Sequence, residues 1–429
     1  MAVTGVLALV CVPAAFAQPM FRGAPAHLGV YESPAPKLST VAWKFKTNGR
    51  VISSPALSGE TVVVGSTDGS VYALNTADGT QRWKFATQGQ VTSSPAIDGQ
   101  SVYVNSADGR LYALDLATGT VKWRFATKGE RRFTAPGIHG ISPRTEMMPD
   151  PFDMFTSSPV VANGKVYFGS GDGNVYAVDA STGALAWSFK TGNVVHATPA
   201  VVDGVVYIGS WDRNLYALDA ATGAKRWAFE TGQDTVIYNQ VGINSSAAIS
   251  NGIVFVGARD GHFYAVDARS GQLKWKHDNH MGWTIASPAV LGNTVYFPTS
   301  DGTRFKALDA QTGAVKFDIG NKAVSFSSPA IASNTVYYGT SDGVLHAVDA
   351  TNGKVVADFQ TDGNKANGSK YTDAEGKMSG ALLYTDRTLD GTFIGLDRMF
   401  SMGSIISSPV IRGGVLYVGS TDGNLYALR

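Results

Sequence analysis

The sequence predicts an all-β fold: an eight-bladed β-propeller of four-stranded antiparallel blades, closed by an N-terminal strand that completes the last blade. Three observations carry this prediction. Eight copies of one roughly forty-residue unit run through the chain, opening on a Ser-Ser-Pro-Ala-like start at Ser53, Ser93, Ser157, Ala197, Ser245, Ala286, Ser327 and Ser407. Each copy holds four short segments rich in Val, Tyr and Ile, parted by turn residues. The last copy stops at Leu425-Tyr426-Ala427-Leu428-Arg429 without its fourth segment, and an orphan Trp43-Lys44-Phe45-Lys46-Thr47 near the start supplies it. A unit of this length cannot bury its apolar face alone, so the copies must stack.

Along the chain, residues 1–17 read as a signal peptide. An apolar run from Val6 to Phe16 precedes the small-x-small site Ala15-Phe16-Ala17, and it is too short to span a bilayer. The expected location is periplasmic or secreted. Cys11 is the only cysteine, and Val10 stands where a lipid-attachment site requires a small residue. The mature chain therefore carries no cysteine and forms no disulfide. Residues 18–40 form a lead segment, and residues 41–429 form the propeller, with insertions at 129–155, 233–243 and 362–404.

The second unit shows the design. Thr92 to Ile97 opens it as a first strand, and Val102-Tyr103-Val104 forms the second. Asp108-Gly109 makes a hairpin whose positive φ suits a type I′ turn; Leu111 to Asp115 and Val121 to Thr127 complete the sheet. The turn aspartate recurs at Asp68, Asp108, Asp172, Asp260, Asp301, Asp342 and Asp422, with Asp212-Arg213 as the exception. The fourth-strand tryptophan recurs at Trp43, Trp83, Trp123, Trp187, Trp227 and Trp275, then becomes Phe317 and Ala357. Its fixed place in the unit marks it as inter-blade packing rather than a ligand platform.

The run Ala113-Leu114-Asp115-Leu116-Ala117-Thr118-Gly119-Thr120-Val121-Lys122-Trp123 resembles the tryptophan-docking motif of the PQQ-type (pyrroloquinoline quinone) eight-bladed propellers. The stretches Ala177 to Trp187 and Ala217 to Trp227 match equally well, and Pro19-Met20-Phe21-Arg22-Gly23 is similar to that superfamily's lead-in. The resemblance implies the fold. It leaves function open between quinone-dependent alcohol dehydrogenases and non-enzymatic propellers such as the outer-membrane protein assembly lipoprotein. The dehydrogenases typically carry a vicinal disulfide, calcium ligands and a catalytic Asp. The disulfide is excluded here, and no acidic pair stands out.

Function is sought where the repeat is interrupted. Successive openings are 40, 64, 40, 48, 41, 41 and 80 residues apart, and all three excesses fall between a fourth strand and the next first strand. In an antiparallel blade that connection shares a face with the Asp-Gly hairpin, so the insertions crowd one mouth of the ring. Departures from the repeat gather there. Trp211 and Arg259 stand where other blades carry Thr67, Ala107, Gly171, Ser300, Ser341 or Thr421. His196 and Asn244 replace the Ile or Thr before other openings, and Tyr238-Asn239-Gln240 lies between the altered blades. The candidate binding-face residues are His139, Arg144, His196, Trp211, Asp212, Asn239, Gln240, Asn244, Arg259 and Trp283. Two readings remain open for them: packing and capping of the insertion, or a pocket for a ligand or partner.

Beyond Met1 and Met20, all seven methionines (Met147, Met148, Met154, Met281, Met378, Met399, Met402) fall in the inter-blade connections. Packing or partner contact outweighs a copper(I) site there, because the spacings match no metal motif. Hydrophobic residues make up 44% and charged residues 16%, enough for a large core, and a net charge of +1 gives no case for nucleic acid. The expected protein is an exported, monomeric binding module without a cofactor, engaging a protein or peptide partner of the cell envelope through the insertion face. The alternative is an enzyme, a dehydrogenase using PQQ and Ca2+ at the same mouth, with Arg144, Trp211, Asp212, Asn239 and Arg259 as its polar and stacking groups.

Overall fold

The opening motif builds the axis of the ring. Its second residue is Ser54, Ser94, Ser158, Thr198, Ser246, Ser287, Ser328 or Ser408, and each hydroxyl accepts the equivalent backbone N–H of the preceding blade at 2.9–3.2 Å. The last of these bonds, from Ser408 to Ser54, closes the circle. The first serine bonds both ways: Ser53, Ser157 and Ser245 accept the N–H of Gly65, Gly169 and Gly257 in their own blade, and Ser157, Ser245 and Ser327 donate to the carbonyls of Ala197, Ala286 and Ser407 in the next. A small residue is needed at both places because the blades converge there, and the second carries a hydroxyl in every blade.

The computed structural model describes residues 19–233, 241–280 and 282–429. Eight antiparallel sheets surround the axis, each with four propeller strands. In the second blade these are Ala96–Asp98, Ser101–Ser106, Arg110–Asp115 and Val121–Ala126. The first strand is shorter than the expected Thr92 to Ile97. Pro95 has no N–H to give a ladder, and the N–H of Ser94 is spent on the next blade. The hairpin also differs from a type I′ turn. Gly109 alone has positive φ, 77°, and its N–H reaches Ser106 across a three-residue loop. Asp108 instead accepts the N–H of Arg110, the Asx arrangement that fixes such loops.

Closure is as expected. Val41–Lys46 pairs antiparallel with Asn424–Leu428, placing Trp43 opposite Ala427. Each fourth-strand tryptophan docks on the next blade: its indole N–H donates to a backbone carbonyl at 2.8–3.1 Å. Its ring lies over Gly79, Gly119, Gly183, Gly223, Gly271 or Gly313, where φ is 72–75° and a Cβ would come within 2.5–2.8 Å of the indole. Phe317 lies over Gly353 in the same way.

Both mouths of the axial channel are covered. On the side away from the insertions, the carbonyls of Pro19, Pro25, Ala26, Leu28 and Gly29 accept the N–H groups of Ile97, Val201, Ile249, Val290 and Ile331. Val30–Tyr31 then adds a parallel strand to the inner edge of the seventh blade. Over the insertion mouth, the helix Leu389–Ser401 buries Leu396, Met399 and Phe400. They join Phe326, Ile285 and Ile406, with Phe152, Met154 and Phe155 of the first insertion packed against them. Met148 and Met402 are buried as well, whereas Met147 is 64% exposed.

Candidate functional site

Six hairpins on the insertion mouth share one device. The turn aspartate accepts the hydroxyl of the tyrosine four residues on, at 2.6–2.7 Å for Tyr72, Tyr112, Tyr176, Tyr216 and Tyr426. Asp260 and Tyr264 pair likewise. Asp212, a sequence candidate, is one of these turn residues and also accepts the N–H of Gly192. The sixth blade departs from the pattern. Its hairpin is one residue longer, with Thr299 N–H reaching Arg304, and the positive φ moves from Gly302 to Thr303. Lys306 replaces the tyrosine, and Asp301 turns into a cleft. Partial desolvation at the cleft, without a tyrosine hydroxyl to offset it, raises the Asp301 carboxyl pKa, whereas in the regular turns the hydrogen bonds overcome burial and lower Asp68 and Asp172.

The altered residues of blades four to six meet the first insertion. Arg259 donates through Nη1 to Asp150, and both side chains are buried. The Arg259 guanidinium lies between two indoles, 4.6 Å from the ring centre of Trp211 and 4.5 Å from that of Trp283. Phe133 stacks on Trp211 with centroids 4.5 Å apart and planes at 14°. Asp150 also bonds His139 Nε2 at 2.8 Å and the N–H of Phe152. Burial opposes its charge, but Arg259 and His139 hold its pKa well below the usual carboxylate range. His196 forms a second anchor, with Nδ1 2.6 Å from Asp153 and Nε2 2.9 Å from Glu130. Burial lowers its pKa, yet the two carboxylates prevail and hold it up at about 10. His196 is therefore an imidazolium donating to both.

Above this network lies a cleft of about 460 Å³. Its floor is Trp283, His139 and Phe152, and its far wall is Tyr384 and Thr392 of the third insertion. Arg144, Asp301, Asp386 and Arg387 are exposed along its rim. The two insertions are tied together beside it, Ser142 donating its N–H to the Arg387 carbonyl at 2.8 Å. Burial and the neighbouring Asp301 push the Tyr384 phenol up to about 12.

The sequence candidates thus divide. His139, Arg144 and Trp283 line the cleft. Trp211 and Arg259 are buried beneath it as supports for the insertion. His196 and Asn244 face the axial channel. Asn239 and Gln240 lie outside the described residues. Sequence reasoning missed Asp301, Tyr384, Asp386, Arg387 and Thr392 as parts of one site. For Asp301 there was a signal, the missing tyrosine four residues on. The others belong to non-repeat sequence without a periodic reference.

A family model described as outer membrane protein assembly factor BamB matches residues 36–142, 142–277 and 239–381. The chain belongs to the BamB family. Among solved structures, BamB from Moraxella catarrhalis matches with a TM-score of 0.64 and 17% identity, covering 91% of this chain and 97% of that one. A europium-containing methanol dehydrogenase matches with a TM-score of 0.70 and 17% identity, over 96% of this chain and 91% of that one. The quinohemoprotein alcohol dehydrogenase of Comamonas testosteroni gives 0.71 at 14% identity, over 97% and 81%. At such identities the likeness is one of fold. A comparison with curated proteins finds no match.

PQQ, a planar tricyclic quinone, needs an open aromatic face to stack on. Trp211, the stacking group named from sequence, is covered by Phe133 and Arg259 and is 1% exposed. Asp150 beside it is committed to Arg259 and His139. The quinone does not fit the Trp211 position as it stands. No helix among the described residues is long and apolar enough to cross a membrane.

Proposed function

We propose that this propeller is an exported binding module that holds a peptide segment of an envelope protein in the cleft between its first and third insertions. One observation carries the reading. The first and third insertions together build a groove at the mouth, over a channel plugged by their apolar side chains. The groove has an aromatic floor and a rim of both signs, Arg144 and Arg387 with Asp301 and Asp386, which suits a peptide carrying apolar and charged side chains. Such a binder requires no catalytic group, and the buried supports Trp211 and Arg259 give the groove a fixed shape.

The test is capture from envelope extract by the wild-type chain and by an Arg144→Glu, Arg387→Glu double variant, both residues being exposed on the rim. The variant is expected to lose the partner while its unfolding midpoint stays within about 4 °C of wild type. Full capture by the variant would remove the cleft from the account. Addition of PQQ and Ca2+ with dye-linked alcohol oxidation examines the oxidoreductase alternative; stoichiometric quinone binding with turnover would replace the binding-module reading.

A further inference from the structure

The eight hydroxyls at the axis each accept an N–H from the neighbouring blade. Each still has a proton to donate, and no protein acceptor for these protons is found among the described residues. All eight line one axial cavity of about 50 Å³. Asn244 lines it too, and its Nδ2 is buried without a partner. Phe21 of the lead segment bounds the cavity on one side, and Phe155 and Phe326 bound it on the other. Donors therefore converge on a small enclosed space.

A second observation concerns charge. Arg22, next to Phe21, is 2% exposed. It donates to the carbonyls of Pro288 and Pro329, the residues that follow ring members Ser287 and Ser328. Its Nε has no partner, and no carboxylate pairs with it among the described residues. His27 beside it is buried and, with its pKa lowered to about 3 by burial and by Arg22, adds no charge. On the cavity's other side, the His196 imidazolium is more than balanced by the two carboxylates Asp153 and Glu130 and offers the cavity no free positive charge. A buried cation without a counterion is costly, and convergent donors without an acceptor add to that cost.

We propose that the axial channel holds a small monovalent anion of halide size, bound by the hydroxyl ring and Asn244 and neutralising Arg22. A water needs roughly 10–15 Å³ of such space, so the cavity admits a halide with a water beside it. The ion is enclosed between the lead segment and the insertion plug, and joins both to the ring.

The test is retention of bromide. The full chain is unfolded in urea, refolded in sodium bromide, desalted, and its bromide measured by X-ray fluorescence. The expected result is about one bromide per chain, with a higher unfolding midpoint in chloride than in gluconate at equal ionic strength. Asn244→Asp, which keeps the side chain's size and sets a carboxylate in the cavity, is expected to retain none, as is Arg22→Gln. Near-ultraviolet circular dichroism verifies the fold of each variant; where Arg22→Gln does not refold, Asn244→Asp decides. A folded wild type without bromide would overturn the proposal and leave water in the ring, and equal retention by wild type and folded variants would overturn it too.

Discussion

The two mouths of this propeller are closed by different means. With the Arg22 side chain on Pro288 and Pro329 as an exception, the lead segment closes one with backbone carbonyls, five of which meet N–H groups of five inner strands. Such bonds ask little of side-chain identity. The insertions close the other with side chains of particular chemistry: the Arg259–Asp150–His139 chain, the His196 pair and the Phe133–Trp211 stack. A closure of the first kind serves any ring of repeats. The second kind fixes the shape of one groove, and it stands where the sequence leaves its own repeat.

The sharpest way to break this contrast is to remove Arg259. Arg259→Met leaves Asp150 buried without its cation, and the expected cost is about 3–5 kcal/mol in urea unfolding. Removing one turn tyrosine, Tyr216→Phe, costs only the net value of a hydrogen bond to a charged group, about 1.5–3 kcal/mol.

pH separates the mouths next. The folded pKa of His196 is raised, so its contribution is fully present below about pH 6.5 and is lost as pH rises toward 10. The amide of Phe133, which donates to Asp153, reports this opening. Its opening free energy should fall by up to roughly 1.4 kcal/mol per pH unit above 6.5 by hydrogen exchange. The amide of Ile97, held by Pro19 at the other mouth, should stay level up to pH 9. A parallel fall at both would erase the distinction.

The smallest effect compares two turn aspartates. Asp68→Asn disturbs a carboxylate that takes Tyr72, two N–H groups and the lowered pKa that follows, and should cost about 1–2 kcal/mol. Asp301→Asn touches a residue released from that duty and should stay within about 0.5 kcal/mol.

Most of the fold was legible because the repeat repeats its physics. Ser-Ser-Pro marks the axis, Trp the blade contact and Asp-Gly the hairpin. What the pattern could not show is which partners each serine takes, since that depends on convergence at the axis. The anchors are harder still. Arg259 and Asp150 are 109 residues apart and no spacing links them. His196, Trp211 and Arg259 stood out as departures, and all three are buried against the first insertion. The groove itself needed Tyr384 to Thr392, in sequence with no second copy to compare.

Site-specific photo-crosslinking tests the central claim most directly. One chain carries a benzophenone side chain at Arg387 in the cleft, and another carries it at Glu32 by the lead-segment mouth. The same envelope protein is expected to be crosslinked from position 387 and not from position 32. Crosslinking from position 32 alone would place binding on the mouth closed by backbone, and would contradict that claim.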